Sequence, residues 1–205
     1  EAFLKKGEPA RKLPADFLQL WHSSQTVPLE VRLDDTLLAG DIPADPSGLT
    51  QIYCRNAKPT GADAVRWYLR HLLLSAVHGP AARSLTWNRE KGVVLLMEGM
   101  SREESMARLR ELLALYLRGC AAPLPLFKAA SYAYASHREN LAEARKAFYT
   151  FIPPGSIRFG DWMEPAVALF FRPEDFDSPE FVSEFAELAR IVHRPFLNGE
   201  VKDAS

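Results

Sequence analysis

Residues 27–33 alternate along the chain, with Val27, Leu29, Val31 and Leu33 on one side and Glu30 and Arg32 on the other. A period of two predicts a strand buried on one face. Asp34-Asp35 breaks the run as a tight turn, and Thr36–Ile42 returns as its hairpin partner. The strand is expected to end in Gly40-Asp41, with a turn of Pro43, Asp45, Pro46 and Gly48 after it. Leu49–Cys54 predicts a third strand. From Gly61-Ala62-Asp63 the period lengthens. Val65, Tyr68, Leu69, Leu72, Leu73 and Ala76 share a broad helical face over 64–77, and Gly79-Pro80 stops the helix. Ser84–Trp87 and Val93–Met97 predict two more strands.

Ser101 stands three residues before Glu104, a capping box that satisfies the free amides of a helix start. That helix is expected to run to about Leu117, with Met106, Leu109, Leu112, Leu113 and Tyr116 inward and Gly119 as its cap. Upstream, Phe17, Leu18, Leu20 and Trp21 have helical spacing. The order is helix, three strands, helix, two strands, helix, an α/β core over residues 1–118. Residues 119–205 read as a mainly helical extension of the same domain. Leu141, Ala144, Ala147 and Phe148 mark one of its helices, and Phe181, Phe185, Leu188 and Ile191 another. Neither a repeat nor a low-complexity tract is visible.

Composition narrows the class. The chain has 205 residues, 47% of them hydrophobic, enough for one domain with a substantial core. Its net charge is −1, so it exerts no long-range pull on nucleic acid. DNA contact would need a local patch or partner chains. The two cysteines, Cys54 and Cys120, are far apart in sequence and form no zinc motif. They suit a reducing compartment, and a cytoplasmic location is expected. No apolar run is long enough for a membrane span. The opening inside a helical pattern suggests an excised piece of a longer chain.

The chemistry centres on Asp41, Asn56 and Lys58. Metal-dependent nucleases of the restriction-endonuclease-like fold hold an Asp after one strand and an acid-x-Lys after the next. Two carboxylates bind the divalent cation, and the Lys helps position water and phosphate. Here Asn56 occupies the second acid's place. A neutral amide oxygen is a poor substitute for a carboxylate around a hard cation, so metal affinity should fall sharply. Taken singly, Asp41 also fits a turn acid and Lys58 a solvated cation.

A wider resemblance supports this reading. It is carried by Trp67-Tyr68-Leu69-Arg70-His71-Leu72, Tyr116-Leu117-Arg118-Gly119, and residues 122–127 (AlaProLeuProLeuPhe). Ser131-Tyr132-Ala133-Tyr134, residues 144–148 (AlaArgLysAlaPhe) and residues 185–197 follow in order. Together, from Trp67 to Phe196, they resemble the C-terminal domain of the gamma subunits of bacterial exodeoxyribonuclease V, the RecC family. The resemblance implies a PD-(D/E)xK-like fold with a degenerate active site. It also implies a place in an ATP-driven helicase-nuclease that resects double-stranded DNA ends for recombinational repair. In that family the domain is non-catalytic, helps split the duplex with a protruding pin, and contacts the beta and alpha subunits of the heterotrimer. Mg2+ and ATP are then used by partner subunits, with no metal or cofactor here. Asp41, Asn56 and Lys58 become vestigial positions.

Other candidates are weaker. Trp87 precedes Asn88, Arg89 and Lys91 at a predicted strand end, an arrangement suited to a strand-splitting wedge with phosphate-holding cations. The turns 41–55 and 87–92 are both candidate pins. Arg55, Lys58, Arg66 and Arg70 suit the lining of an old nuclease groove or a solvated face. The other tryptophans read as core. The five histidines lack ligand spacing and read as structural. Neither a nucleophile elbow nor a Gly-rich phosphate loop is present. The alternative is an active nuclease with a relocated second acid, for which Asp45 and Glu30 are nearest. A proline- and aromatic-rich stretch, 150–175, is expected to carry an apolar patch for partner subunits.

Overall fold

The computed structural model describes residues 14–54, 60–88, 93–149, 160–197 and 202–203. They fall into two compact units. One comprises Glu1–Lys58, Arg70–Met106 and Glu200–Ser205; the other comprises Pro59–Leu69 and Ala107–Gly199. The division passes through two helices, α2 (Gly61–His78) and α3 (Arg102–Ala121).

The first unit is built on a mixed sheet. The alternating segments form β1 (Gln25–Leu33) and β2 (Thr36–Ala44), joined by the two-residue turn Asp34-Asp35. Asp34 adopts φ 52°, a left-handed conformation that Asp tolerates because its short side chain can bond locally. The register pairs Leu33 with Thr36 and Val27 with Ile42, so the apolar positions share one face. β3 (Thr50–Tyr53) pairs antiparallel with β2, and β4 (Arg83–Asn88) runs parallel to β3. A parallel pair needs a crossover connection, and α2 lies in it. β5 (Val93–Glu98) closes a hairpin with β4, and the two-residue β6 (Lys202–Asp203) pairs with β5. The spatial order is β1-β2-β3-β4-β5-β6.

Each face of this sheet has its own core. On one, Leu29, Ile42, Leu74 and Ala82 are buried together, with Val27 and Leu73 against them. On the other, α1 (Ala15–Ser23) contributes Phe17, Leu20 and Trp21 to a cluster with Ile52, Trp87 and Val94. Gly79, at φ 61°, breaks α2, and a Cβ on Gly99 would lie 2.5 Å from its carbonyl oxygen. Only a glycine at 99 permits that approach.

The second unit has an aromatic core. α4 (Ala130–Ser136), α5 (Leu141–Phe148) and α7 (Pro179–Leu197) surround Phe127, Phe148, Phe176 and Phe185. Phe127 is the hub, its ring centroid 4.7 Å from Phe148 and 5.1 Å from Phe171. Asn140 caps α5 through the amides of Ala142 and Glu143. α4 is capped from a distance, because the buried Asp161 carboxylate accepts from the amides of Ala129 and Ala130. Its pKa is raised, first by burial, with those two amides opposing.

Three expectations need correction. β2 continues to Ala44, so Asp41 lies within a strand and Pro43 is not a turn residue. α3 extends past Gly119 to Ala121. Tyr116 is 68% exposed and does not face inward, although Leu109 is buried. The run 112–117 is apolar at every position, so periodicity could not choose its inner face.

Candidate functional site

Of Asp41, Asn56 and Lys58, Asp41 alone lies within the described residues. It stands exposed on β2, opposite Pro28 and on the face away from Ile42 and Ala44. Asn56 and Lys58 lie outside the described residues, as does Arg55. Glu30 pairs with Ala39, which places it on the same open face as Asp41, one alternate position along. Asp45 is committed elsewhere: its Oδ1 accepts from the amides of Leu49 and Thr50 at 3.2 and 3.0 Å. Ser47 Oγ donates to the same carboxylate at 2.8 Å. Those bonds build the β2–β3 turn, and moving Asp45 to a metal would dismantle it. Among the described residues, no group of three His, Cys, Asp or Glu side chains is arranged to hold a metal ion.

Trp87 corrects the wedge expectation. It is 5% exposed and packs with Phe17, Ile52 and Val94. A stacking wedge needs a free ring face, and this ring has none. The period-two register explains the error, because Trp87 pairs with Val94 and shares the core face with Leu85. Arg89 and Lys91 lie outside the described residues. Trp67 is buried too, as expected. Arg66 is exposed and Arg70 half-buried, and neither forms an ion pair among the described residues.

Two histidines are core groups. His71 is fully buried, with Nδ1 2.8 Å from Ser84 Oγ and Nε2 3.5 Å from Ser75 Oγ. Burial lowers its pKa to about 4, against a raising bond at the Glu98 backbone. His193 packs edge-on to Tyr132 at 5.6 Å, its Nδ1 without a hydrogen-bond partner. Burial lowers its pKa to about 4 as well. Both imidazoles are therefore neutral at pH 7. Burial raises the pKa of the free Cys54 thiol, and Cys120 is exposed.

The second unit also exposes large apolar side chains at Tyr149, Met163, Leu169 and Phe170. Met163, Leu169 and Phe170 belong to the stretch expected to carry a patch, of which 150–159 lies outside the described residues. No described helix is long and apolar enough to cross a membrane.

The profile of the RecC C-terminal domain matches residues 2–139, about two thirds of the chain. The chain belongs to the RecC C-terminal domain family. RecC is a subunit of exodeoxyribonuclease V, the RecBCD helicase-nuclease complex of DNA repair and recombination, and the family places this domain in DNA processing. The match takes in Asp41, Asn56, Lys58 and the segments at 67–72, 116–119 and 122–127. The two resembling segments at 144–148 and 185–197 lie beyond it. A comparison with curated proteins found no match.

Proposed function

We propose that this RecC C-terminal domain is a degenerate nuclease module that guides and helps split DNA and scaffolds the helicase-nuclease without cutting. The family match over β1–β5 and α1–α4 carries the reading. The strand directions support a restriction-endonuclease-like ancestry: an antiparallel three-strand meander, then a helical crossover to a strand parallel to the third. Asn56 in the second acid's place supports loss of the metal site. Mg2+ and ATP then act in the beta and alpha subunits, in the cytoplasm.

Arg55, Lys58, Arg89 and Lys91 remain the proposed DNA contacts, and Trp87 drops out. The tip of the β1–β2 hairpin is a poor pin, since Asp34 and Asp35 would meet phosphates. The full-length subunit should bind a forked duplex weakly, without sequence preference, and less tightly as salt rises. Each true contact replaced by Ala should reduce the slope of log affinity against log salt by about 0.7–0.9. An unchanged slope with all four replaced would remove them as contacts.

One observation favours a second reading. Glu30 and Asp41 share an open sheet face, so a relocated acid is geometrically available. Calorimetric titration with Mn2+ separates the two readings. The degenerate module shows no saturable uptake. Stoichiometric uptake abolished by both Asp41→Ala and Glu30→Gln would establish the relocated site.

A further inference from the structure

Among its described residues, the second unit carries an apolar surface that its own core leaves uncovered. Helix α6 is Pro165-Ala166-Val167-Ala168-Leu169-Phe170, without a charge. Val167 packs on the aromatic core, whereas Leu169 is 74% and Phe170 59% exposed. The preceding turn, Asp161–Met163, adds Met163 at 55% exposure and Trp162, whose ring lies 5.5 Å from that of half-exposed Tyr149. Single exposed apolar residues are ordinary, but a set drawn from adjoining elements marks an interaction face.

Charge decides what fits there. Between Met163 and Glu180 the chain carries five acidic residues and one basic, against 26 and 25 in the whole sequence. Three of the five are engaged: Asp175 accepts from the Arg172 amide at 2.7 Å, Asp177 holds Arg145, and Glu180 accepts from Ser178 Oγ at 2.8 Å. Glu164, Glu174 and Glu180 are exposed and form no ion pair among the described residues. A segment this acidic repels a phosphate backbone, so DNA is the wrong occupant. A second copy meeting this face through its own equivalent would set like charges against each other. A protein surface with an apolar centre and a basic rim complements it.

We infer that α6 and its preceding turn are a docking face for an apolar protein surface rimmed by Lys and Arg. The inference rests on the scaffolding reading above. The test is retention of the other helicase-nuclease subunits by the full-length chain, as wild type, as Leu169→Glu/Phe170→Glu, and as Glu164→Lys/Glu174→Lys/Glu180→Lys. Both variants alter exposed side chains, so near-ultraviolet circular dichroism should match the wild type. The apolar double variant is expected to lose at least tenfold in retained subunit. The charge reversal should weaken retention and remove its salt sensitivity. Wild-type retention by both variants would overturn the inference while leaving the scaffolding reading intact. A wild type that retains no subunit would overturn both. Two further outcomes would assign the face to another occupant and sink the inference: self-association abolished by the double variant, or DNA binding lost in it.

Discussion

Lowering the pH from 7 to 4 should remove roughly 3 kcal/mol of stability at each of two histidines. His71 belongs to the first unit and His193 to the second, so both units should weaken. Each folded-state pKa is lowered to about 4, against about 6.5 in an unfolded chain. A group with a lowered imidazole pKa binds its proton better when unfolded. Its contribution is therefore complete above pH 6.5 and is lost as pH falls toward 4. Asp161 acts in the opposite sense, because its carboxyl pKa is raised, so its share of stability declines as pH rises through the folded value. Urea denaturation at pH 7.0, 5.5 and 4.5 reads the balance. In His193→Phe, which preserves a ring against Tyr132, the pH dependence of the second unit should shrink. An unchanged pH dependence in His193→Phe would mean that the His193 imidazole is not buried as described.

Phe127→Ala should cost about 3–5 kcal/mol, the usual range for emptying a buried aromatic site. The cost arises because Phe127 meets several rings at once: Phe148, Phe171, Phe176, Phe181 and Phe185 all lie with centroids 4.7–6.4 Å away. No single neighbour can collapse into the space without leaving another contact. Phe170→Ala, on the exposed α6, should stay within about 0.5 kcal/mol. Thermal or urea unfolding of the two variants side by side measures the contrast. Similar losses would show that the aromatic core is not centred on Phe127.

β1 was legible because it carries a single buried face, whereas the adjacent positions Gln51 and Ile52 of β3 are both buried. Val27, Leu29, Val31 and Leu33 announced β1, and the Asp34-Asp35 break gave its turn and register. α2 was legible from its apolar face and its Gly79-Pro80 stop, and the Ser101 cap from its bond to the Glu104 amide. Boundaries failed where local chemistry was mixed. Pro43 suggested a turn, yet β2 runs on, and Asp45 two residues later builds the turn instead. The helices of the second unit were only partly visible, since α4 owes its cap to Asp161, 31 residues from Ala130, a partner no local window contains.

The candidate site was less legible than the fold. Trp87 illustrates why: a tryptophan followed by cations looks like a DNA wedge, and only the β4–β5 register reveals that the ring faces the core. His71 and His193 lack ligand spacing in the sequence, and both are buried core groups. The reading of Asn56 as standing in a second acid's place rests on the sequence alone, since Asn56 lies outside the described residues.

The central claim is that this domain does not cut DNA, and cleavage of linear duplex DNA tests it most directly. The purified chain would be incubated with Mg2+ or Mn2+ beside Asn56→Asp and Asp41→Ala. The degenerate reading predicts intact DNA with the wild type, whether or not Asn56→Asp gains activity. Cleavage by the wild type that disappears in Asp41→Ala would contradict it and make the domain an active nuclease with a recruited second acid.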